Sequence, residues 1–502
     1  MFSEALHRAV RATVVPAVAL AAVSIPVLSC SDARGDDIDD VIAELNSSPT
    51  VTGTEDAKSY TLLFDAYLDV TRPPSPVGVD FNLMTIHPGM SGWSDVSSWA
   101  ESNPAMADAI IAAKDRKIVG LPYGASSVPS AYRSAGVVAE IGVDGSLAAR
   151  SFPYLDAVRT ISAFATAETY RRLEAGEIQA GLDLAMAHLA VLRQFCDREF
   201  LVEKSTAIRL LSAALTNLRD VFYTYSGQLT AEQLTRIGRT EIPYLRPGRG
   251  KLLMPEADRV VAAALLEQVF DAATGSPITD KFSSSFAGIQ SADAPFTRFG
   301  AARRWAMIAE VHSSLDASQE RLTLVFDDWW RRWRIQEYDQ LLDIEPQFGR
   351  TNPVRYAAVL YAIQDIQDLF KQRNRLIVEV NGTAMAAGLC AYKAVFGNYP
   401  NDSEKIYAQF VRKSSDTDPY DLTFGAMRYR QVSARTSIDT SLGRVWLEPG
   451  DALLYSRGEN NADDRGSTHT AGIMSEGTLG VDGDVIVWPP LKAYGRAQGV
   501  ID

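Results

Sequence analysis

Between residues 205 and 223, Ile208, Leu211, Leu215, Leu218 and Phe222 recur at steps of three and four. That spacing places apolar side chains on one face of an α-helix. A helix so patterned must hide its stripe against neighbours, and the flanking sequence supplies them. Upstream, Ala165, Tyr170, Leu173, Ile178, Leu182, Leu184, Ala187 and Val191 predict two helices that turn near Gly176. Downstream, Thr230-Ala231-Glu232-Gln233 opens another helix with a capping-box start. Residues 257–271 (DRVVAAALLEQVFDA) then return to helical pattern. Residues 153–271 are therefore a helical block.

The rest of the chain is read around that block. Residues 59–150 are mixed. A helix is expected at 60–68 and a Pro/Gly loop at 71–92. Two short helices fall within 94–115, the second opened by Asn103 as cap and Pro104 in its first turn. Trp99 is a core anchor, and 136–141 reads as a short strand. Residues 272–298 are Ser/Gly/Pro-rich and read as an exposed loop. Helical pattern resumes over 299–345, including Asp327-Asp328-Trp329-Trp330-Arg331-Arg332-Trp333. That run fits either a surface for headgroups or glycans, or a helix whose tryptophans fill a core while its arginines pair with acids. A helix or helix pair spans 354–396. The stretch YRRLEAGEIQAGLDLA resembles one tetratricopeptide-type hairpin, where a solenoid needs about three.

The 502 residues and 46% apolar content suit about two to four domains. The net charge is −13, and no basic patch offsets it, which argues against a nucleic-acid partner. Arg8 and Arg11 precede residues 12–29 (ATVVPAVALAAVSIPVLS), which carry no charge. Then comes Val27-Leu28-Ser29-Cys30. A basic start, an apolar middle and a small residue before the cut are the order of a secretory signal peptide. Pro16 and Pro26 disfavour a membrane-spanning helix there. The last four residues resemble the bacterial lipobox. The resemblance implies removal of 1–29, lipidation of Cys30, and a periplasm-facing envelope lipoprotein, with Ser31 pointing to the outer rather than the inner membrane. An ordinary cleaved signal and an uncleaved anchor are the other readings. Residues 30–58 are acidic and rich in small polar residues, and are expected to form a flexible tether. Cys196 and Cys390 are then the remaining cysteines, and their pairing is open.

The C-terminal region carries a second resemblance. Met385, Leu389, Tyr392 and Phe396 share a helix face that runs into Phe396-Gly397-Asn398-Tyr399-Pro400. Gly397 suits a helix C-cap, and Pro400 blocks continuation. Asp418-Pro419-Tyr420-Asp421 follows, then strand-like Met427-Arg428-Tyr429-Arg430 and Ala452-Leu453-Leu454-Tyr455-Ser456. Ser456 through Gly466 (SRGENNADDRG) and Asp482-Gly483-Asp484 close the set. In this order the motifs resemble the globular domain of the type II secretion major pseudopilin (G-type), over residues 376–502. They are also similar to tails of planctomycete-type exported lipoproteins. The resemblance implies a small α+β domain with a calcium-binding loop, and Asn460, Asp463, Asp482 and Asp484 are the candidate ligands. The oxygen-rich, glycine-bent loop suits calcium by itself. It is not an EF-hand, Arg465 stands where the pattern has glycine, and 467–481 are inserted. A solvated acidic turn without an ion is the alternative.

The expected fold is mainly α, a helical-hairpin body at 151–375 followed by that α+β domain. Histidines at 7, 87, 188, 312 and 469 show no zinc spacing. No nucleophile elbow or nucleotide loop occurs. Catalytic residues stay unassigned. The leading expectation is a lipid-anchored, non-enzymatic scaffold of the cell envelope that binds an unidentified protein. The alternatives are an exported hydrolase with a fold-assembled site, for which His87 or His312 is the residue to follow, and an accessory of a type II secretion-like system.

Overall fold

The computed structural model describes residues 34–75, 77, 82–246, 252–286, 298–335, 340–423, 425–440, 443–467 and 483–500. The chain is mainly helical, with small antiparallel sheets concentrated at its C-terminal end.

Helix α1 (Arg34–Asn46) falls where a tether was expected. Its acidic composition conceals Ile38, Val41, Ile42 and Leu45, which recur at helical spacing. Val41 and Leu45 are buried in the main core, with Ile38 and Ile42 packed against it. Burying such an aliphatic side chain is worth about 1.5–3 kcal/mol, enough to hold the segment down despite its charge. Helix α2 (Tyr60–Leu68) follows. The paired short helices are α3 (Trp93–Glu101) and α4 (Pro104–Ala113). Pro104 starts α4 as expected, but Asn103 does not cap it. Its carboxamide instead accepts from the Thr71 amide at 3.0 Å and donates to the Trp99 carbonyl at 2.6 Å. The expected strand is the two-residue β1 (Glu140–Ile141), paired with β2 (Arg150–Ser151).

The helical block contains α5 (Tyr154–Glu174), α6 (Ile178–Phe195) and α7 (Leu201–Thr224). The α5–α6 turn is made at Gly176, whose φ of +80° suits glycine. Helix α8 (Ala231–Arg236) carries the expected box: Thr230 Oγ1 accepts from the Gln233 amide and the Gln233 side chain accepts from the Thr230 amide. Helix α9 (Ala257–Val269) packs on α1. In α10 (Leu315–Arg334), Trp329 and Trp333 are buried and Arg332 pairs with Asp328 at 2.9 Å. The tryptophan run is thus core, not an aromatic surface.

The longest helix among the described residues, α11 (Gln367–Phe396), packs along α7 and is buried almost continuously from Leu376 to Ala391. Small residues permit this. A Cβ on Gly382 would lie 2.5 Å from Val487, and one on Gly388 would lie 3.2 Å from Val411. The helix ends at Gly397, with φ +79°, as the sequence predicts. Strands β3 (Arg428–Gln431), β6 (Ala452–Ser456) and β7 (Val485–Trp488) form an antiparallel sheet in the order β3-β6-β7. Strands β4 (Thr436–Thr440) and β5 (Gly443–Leu447) pair separately. Strand β6 is buried along its whole length. Beneath it, α11 contributes to the main core. A smaller cluster of Val432, Ile438, Val445, Leu447, Leu453, Tyr455, Leu491 and Tyr494 includes residues of the C-terminal helix α12 (Leu491–Ala497).

Two expected boundaries therefore move. The body begins within the supposed tether, and position 376 falls inside α11, not between domains. One continuous apolar core runs from Val41 to Trp488, because α11 presents its flanks to both the helical body and the sheet.

Candidate functional site

The acidic loop leaves the sheet at Ser456. Asp418 fixes its start: Oδ1 accepts from Ser456 Oγ at 2.7 Å, and Oδ2 accepts from the Arg457 amide at 3.0 Å. Asp421 Oδ2 lies 3.2 Å from both Arg428 and Arg457. The Asp-Pro-Tyr-Asp motif is therefore a clamp on the loop's entrance. Burial pushes the Asp418 carboxyl upward, against the pull of these hydrogen bonds.

The two halves of the loop meet. A Cβ on Gly458, where φ is +72°, would stand 2.2 Å from the Gly483 carbonyl oxygen, so only glycine fits. Asp484 is fully buried. Its Oδ2 accepts from the Gly466 amide at 2.6 Å, and its own amide donates to the Ser467 carbonyl at 2.9 Å. Its Oδ1 is buried with no hydrogen-bond partner among the described residues. Burial raises the Asp484 carboxyl to about 6. The Gly466 and Asp464 amides oppose that rise, and the charges of Asp463 and Asp464 reinforce it. Asn461 and Arg465 hold φ of 57° and 59°, in the left-handed region that glycine occupies most easily.

The other expected ligands are more occupied. Asn460 Oδ1 accepts from the Ala462 amide at 3.0 Å, and Nδ2 donates to Asp464 at 2.8 Å. Asp463 Oδ1 accepts from the Tyr455 hydroxyl at 3.1 Å and the Arg465 amide at 3.0 Å, while Oδ2 lies 3.6 Å from Arg428. Asp482 lies outside the described residues, as does Cys30. Among the described residues, no three His, Cys, Asp or Glu side chains converge to hold a metal ion. Among the described residues the loop thus offers one buried carboxylate oxygen without a hydrogen-bond partner, with Asp463 and Asp464 close enough to be felt electrostatically.

The histidines are tied into structure. His87 Nδ1 accepts from the Gly89 amide at 3.0 Å, leaving the proton on Nε2 and no free acceptor for general-base work. Burial, then Arg496 and Lys492, hold its imidazole down at about 4. His312 Nε2 accepts from the Ala358 amide at 3.1 Å and Nδ1 faces the Ser313 carbonyl at 3.0 Å, so both nitrogens are used. Burial alone takes His188 to about 3. His7 and His469 lie outside the described residues. Cys196 and Cys390 are free, buried thiols, and burial pushes Cys196 up to about 12, far from a reactive thiolate.

Beside His87 lies a polar cluster that sequence reading missed. Asp220 on α7 is buried. Its Oδ2 accepts from Arg496 on α12 at 3.1 Å, and its Oδ1 has no partner among the described residues. Lys492 donates to the Met84 carbonyl at 3.3 Å. Burial lowers its ammonium to about 8, with Arg496 adding to the effect and Asp220 opposing it. These contacts dock the C-terminal helix onto α7 and the 82–92 loop. The partners stand 276 residues apart, and no local motif marks them.

No known family model, curated protein or solved structure matches this chain.

Proposed function

We propose that this protein is a lipid-anchored scaffold of the bacterial cell envelope that binds another protein and performs no chemistry of its own. Its anchor is a lipid on Cys30, and it faces the periplasm, from the outer rather than the inner membrane. The observation that carries this reading is the uncharged run 12–29, closing on Val27-Leu28-Ser29 and followed by Cys30, just ahead of a segment that folds. Among the described residues, no helix is long and apolar enough to cross a membrane. Intact mass of the protein from the membrane fraction tests it. The expected species begins at Cys30 and carries added acyl mass, and an unmodified Met1 end would overturn the reading.

The C-terminal part we read as a reused pseudopilin-like module. Its support is a capped helix lying against a small antiparallel sheet, with the Asp418–Asp421 motif clamping the loop. The helix lies within the body, which speaks against assembly into a pseudopilus. The module's calcium would sit against Asp484, with Asp463, Asp482 and Asn460 as the further candidates. The orphaned, buried Asp484 Oδ1 supports this, because a divalent cation satisfies a desolvated carboxylate. Thermal melting of the full chain with and without calcium reads it directly.

A further inference from the structure

The folding of α1 sets where the protein can stand relative to its anchor, and this inference rests on the lipid at Cys30. Only Ser31, Asp32 and Ala33 separate that cysteine from Arg34, the first residue of α1. A flexible tether of the 28 residues 31–58 would have a root-mean-square span of about 30 Å. The four steps from Cys30 to Arg34 cover at most ~14 Å even when fully extended. A compact body of this size has a radius of gyration of roughly 23 Å. A leash shorter than the radius of its load cannot let the load turn over, so the protein must present one side to the bilayer.

Which side follows from the packing of α1. Ile38, near its start, rests against Gly142, where an added Cβ would come within 2.8 Å. Helix α1 also touches Val143–Gly145. This segment opens the turn between β1 and β2, paired through Ile141 and Arg150. Val143, Ser146 and Ala148 in that turn are half-buried and Gly145 is exposed. Farther along, the Asn46 carboxamide donates to the Tyr123 carbonyl and accepts from the Tyr123 amide, so α1 cannot swing out as a lever. We infer that the face formed by the start of α1 and the 142–149 turn is seated on the bilayer surface. Asp37, Asp39 and Asp40 are exposed on α1, so the complementary surface is one of zwitterionic, ammonium-bearing headgroups, and a surface of net negative charge is disfavoured.

The test uses the full lipidated chain in phosphatidylethanolamine–phosphatidylcholine vesicles containing a lipid with a nitroxide on its headgroup. A fluorophore is placed at Ser146→Cys, since the native Cys196 and Cys390 thiols are buried. A second version carries a long Gly/Ser linker inserted between Ala33 and Arg34. Quenching is expected to be severalfold stronger at the native spacing than with the linker. Equal quenching in the two versions, or none in either while mass confirms the lipid on Cys30, would overturn the seating and leave the anchor standing. A mass showing residue 30 unmodified would overturn both.

Discussion

Two regions of this molecule bury carboxylates, and they treat them differently. In the helical body, Glu203 is fully buried and accepts from Tyr154 Oη at 2.6 Å, Tyr123 Oη at 2.8 Å, Arg198 Nε at 3.0 Å and the Phe200 amide at 3.1 Å. Glu379 on α11 is held at 2.5 Å by Arg219 of α7 and at 2.9 Å by Arg375. Burial pushes its carboxyl up, but the two guanidiniums prevail and hold it below its usual range. In the C-terminal loop, Asp484 is as deeply buried, yet one of its oxygens has no partner among the described residues and the charges that act on it are those of Asp463 and Asp464. A buried charge is tolerated when paired and hydrogen-bonded, and penalised when not. Glu203 and Glu379 are structural because their partners come with them, whereas Asp220 keeps one oxygen without a partner among the described residues even within the body. The loop's carboxylate is left short, with its Oδ1 lacking a partner among the described residues.

The contrast can be broken most forcefully at Glu203. Glu203→Ala strands Arg198 and two tyrosine hydroxyls in the core and is expected to cost about 3–5 kcal/mol, read by denaturant unfolding. A cost under about 1 kcal/mol would mean that the network is not what holds these helices together. Arg219→Met is next, at about 2–3 kcal/mol, because Arg375 still faces Glu379. A loss equal to that of Glu203→Ala would show that Arg375 does not share the charge.

The smallest effect has the opposite sign. Asp484 has a folded value near 6, above the ordinary carboxylate value of about 3.9. Between those two values the folded state binds more protons than the unfolded chain, so stability falls as pH rises from about 4 to 6. Asp484→Asn removes that penalty and is expected to stabilise the calcium-free protein at neutral pH by about 1–2 kcal/mol, while flattening the pH profile. Saturating calcium should erase the difference by raising the melting temperature of the parent alone. A parent that ignores calcium, or a variant no more stable than the parent at neutral pH, would place Asp484 with the body's carboxylates.

Much of the body was legible because local rules agreed with the fold. The Thr230 box, the Gly176 turn and the Gly397 cap each stand where the sequence places them. Helix α1 was misread because acidic composition outweighed four aliphatic residues at helical spacing. The boundary at 376 cuts a helix that the sequence itself predicts within 354–396, because the resemblance starts partway along it; the helix runs from Gln367 to Phe396. In the site, the meeting of Gly458 with Gly483 could be anticipated from glycine placement. The Asp220–Arg496 contact could not, since pairing across 276 residues leaves no periodic trace.

Helix α11 has a consequence for how the chain comes apart. Its Gly382 lies under Val487 of the sheet while its Arg375–Glu379 segment faces Arg219 of the body. Neither part can melt without uncovering the other. The calorimetric trace should therefore be one peak whose van't Hoff and measured enthalpies agree, and a scissor cut at the apparent module border would release two fragments that each lack half a spine.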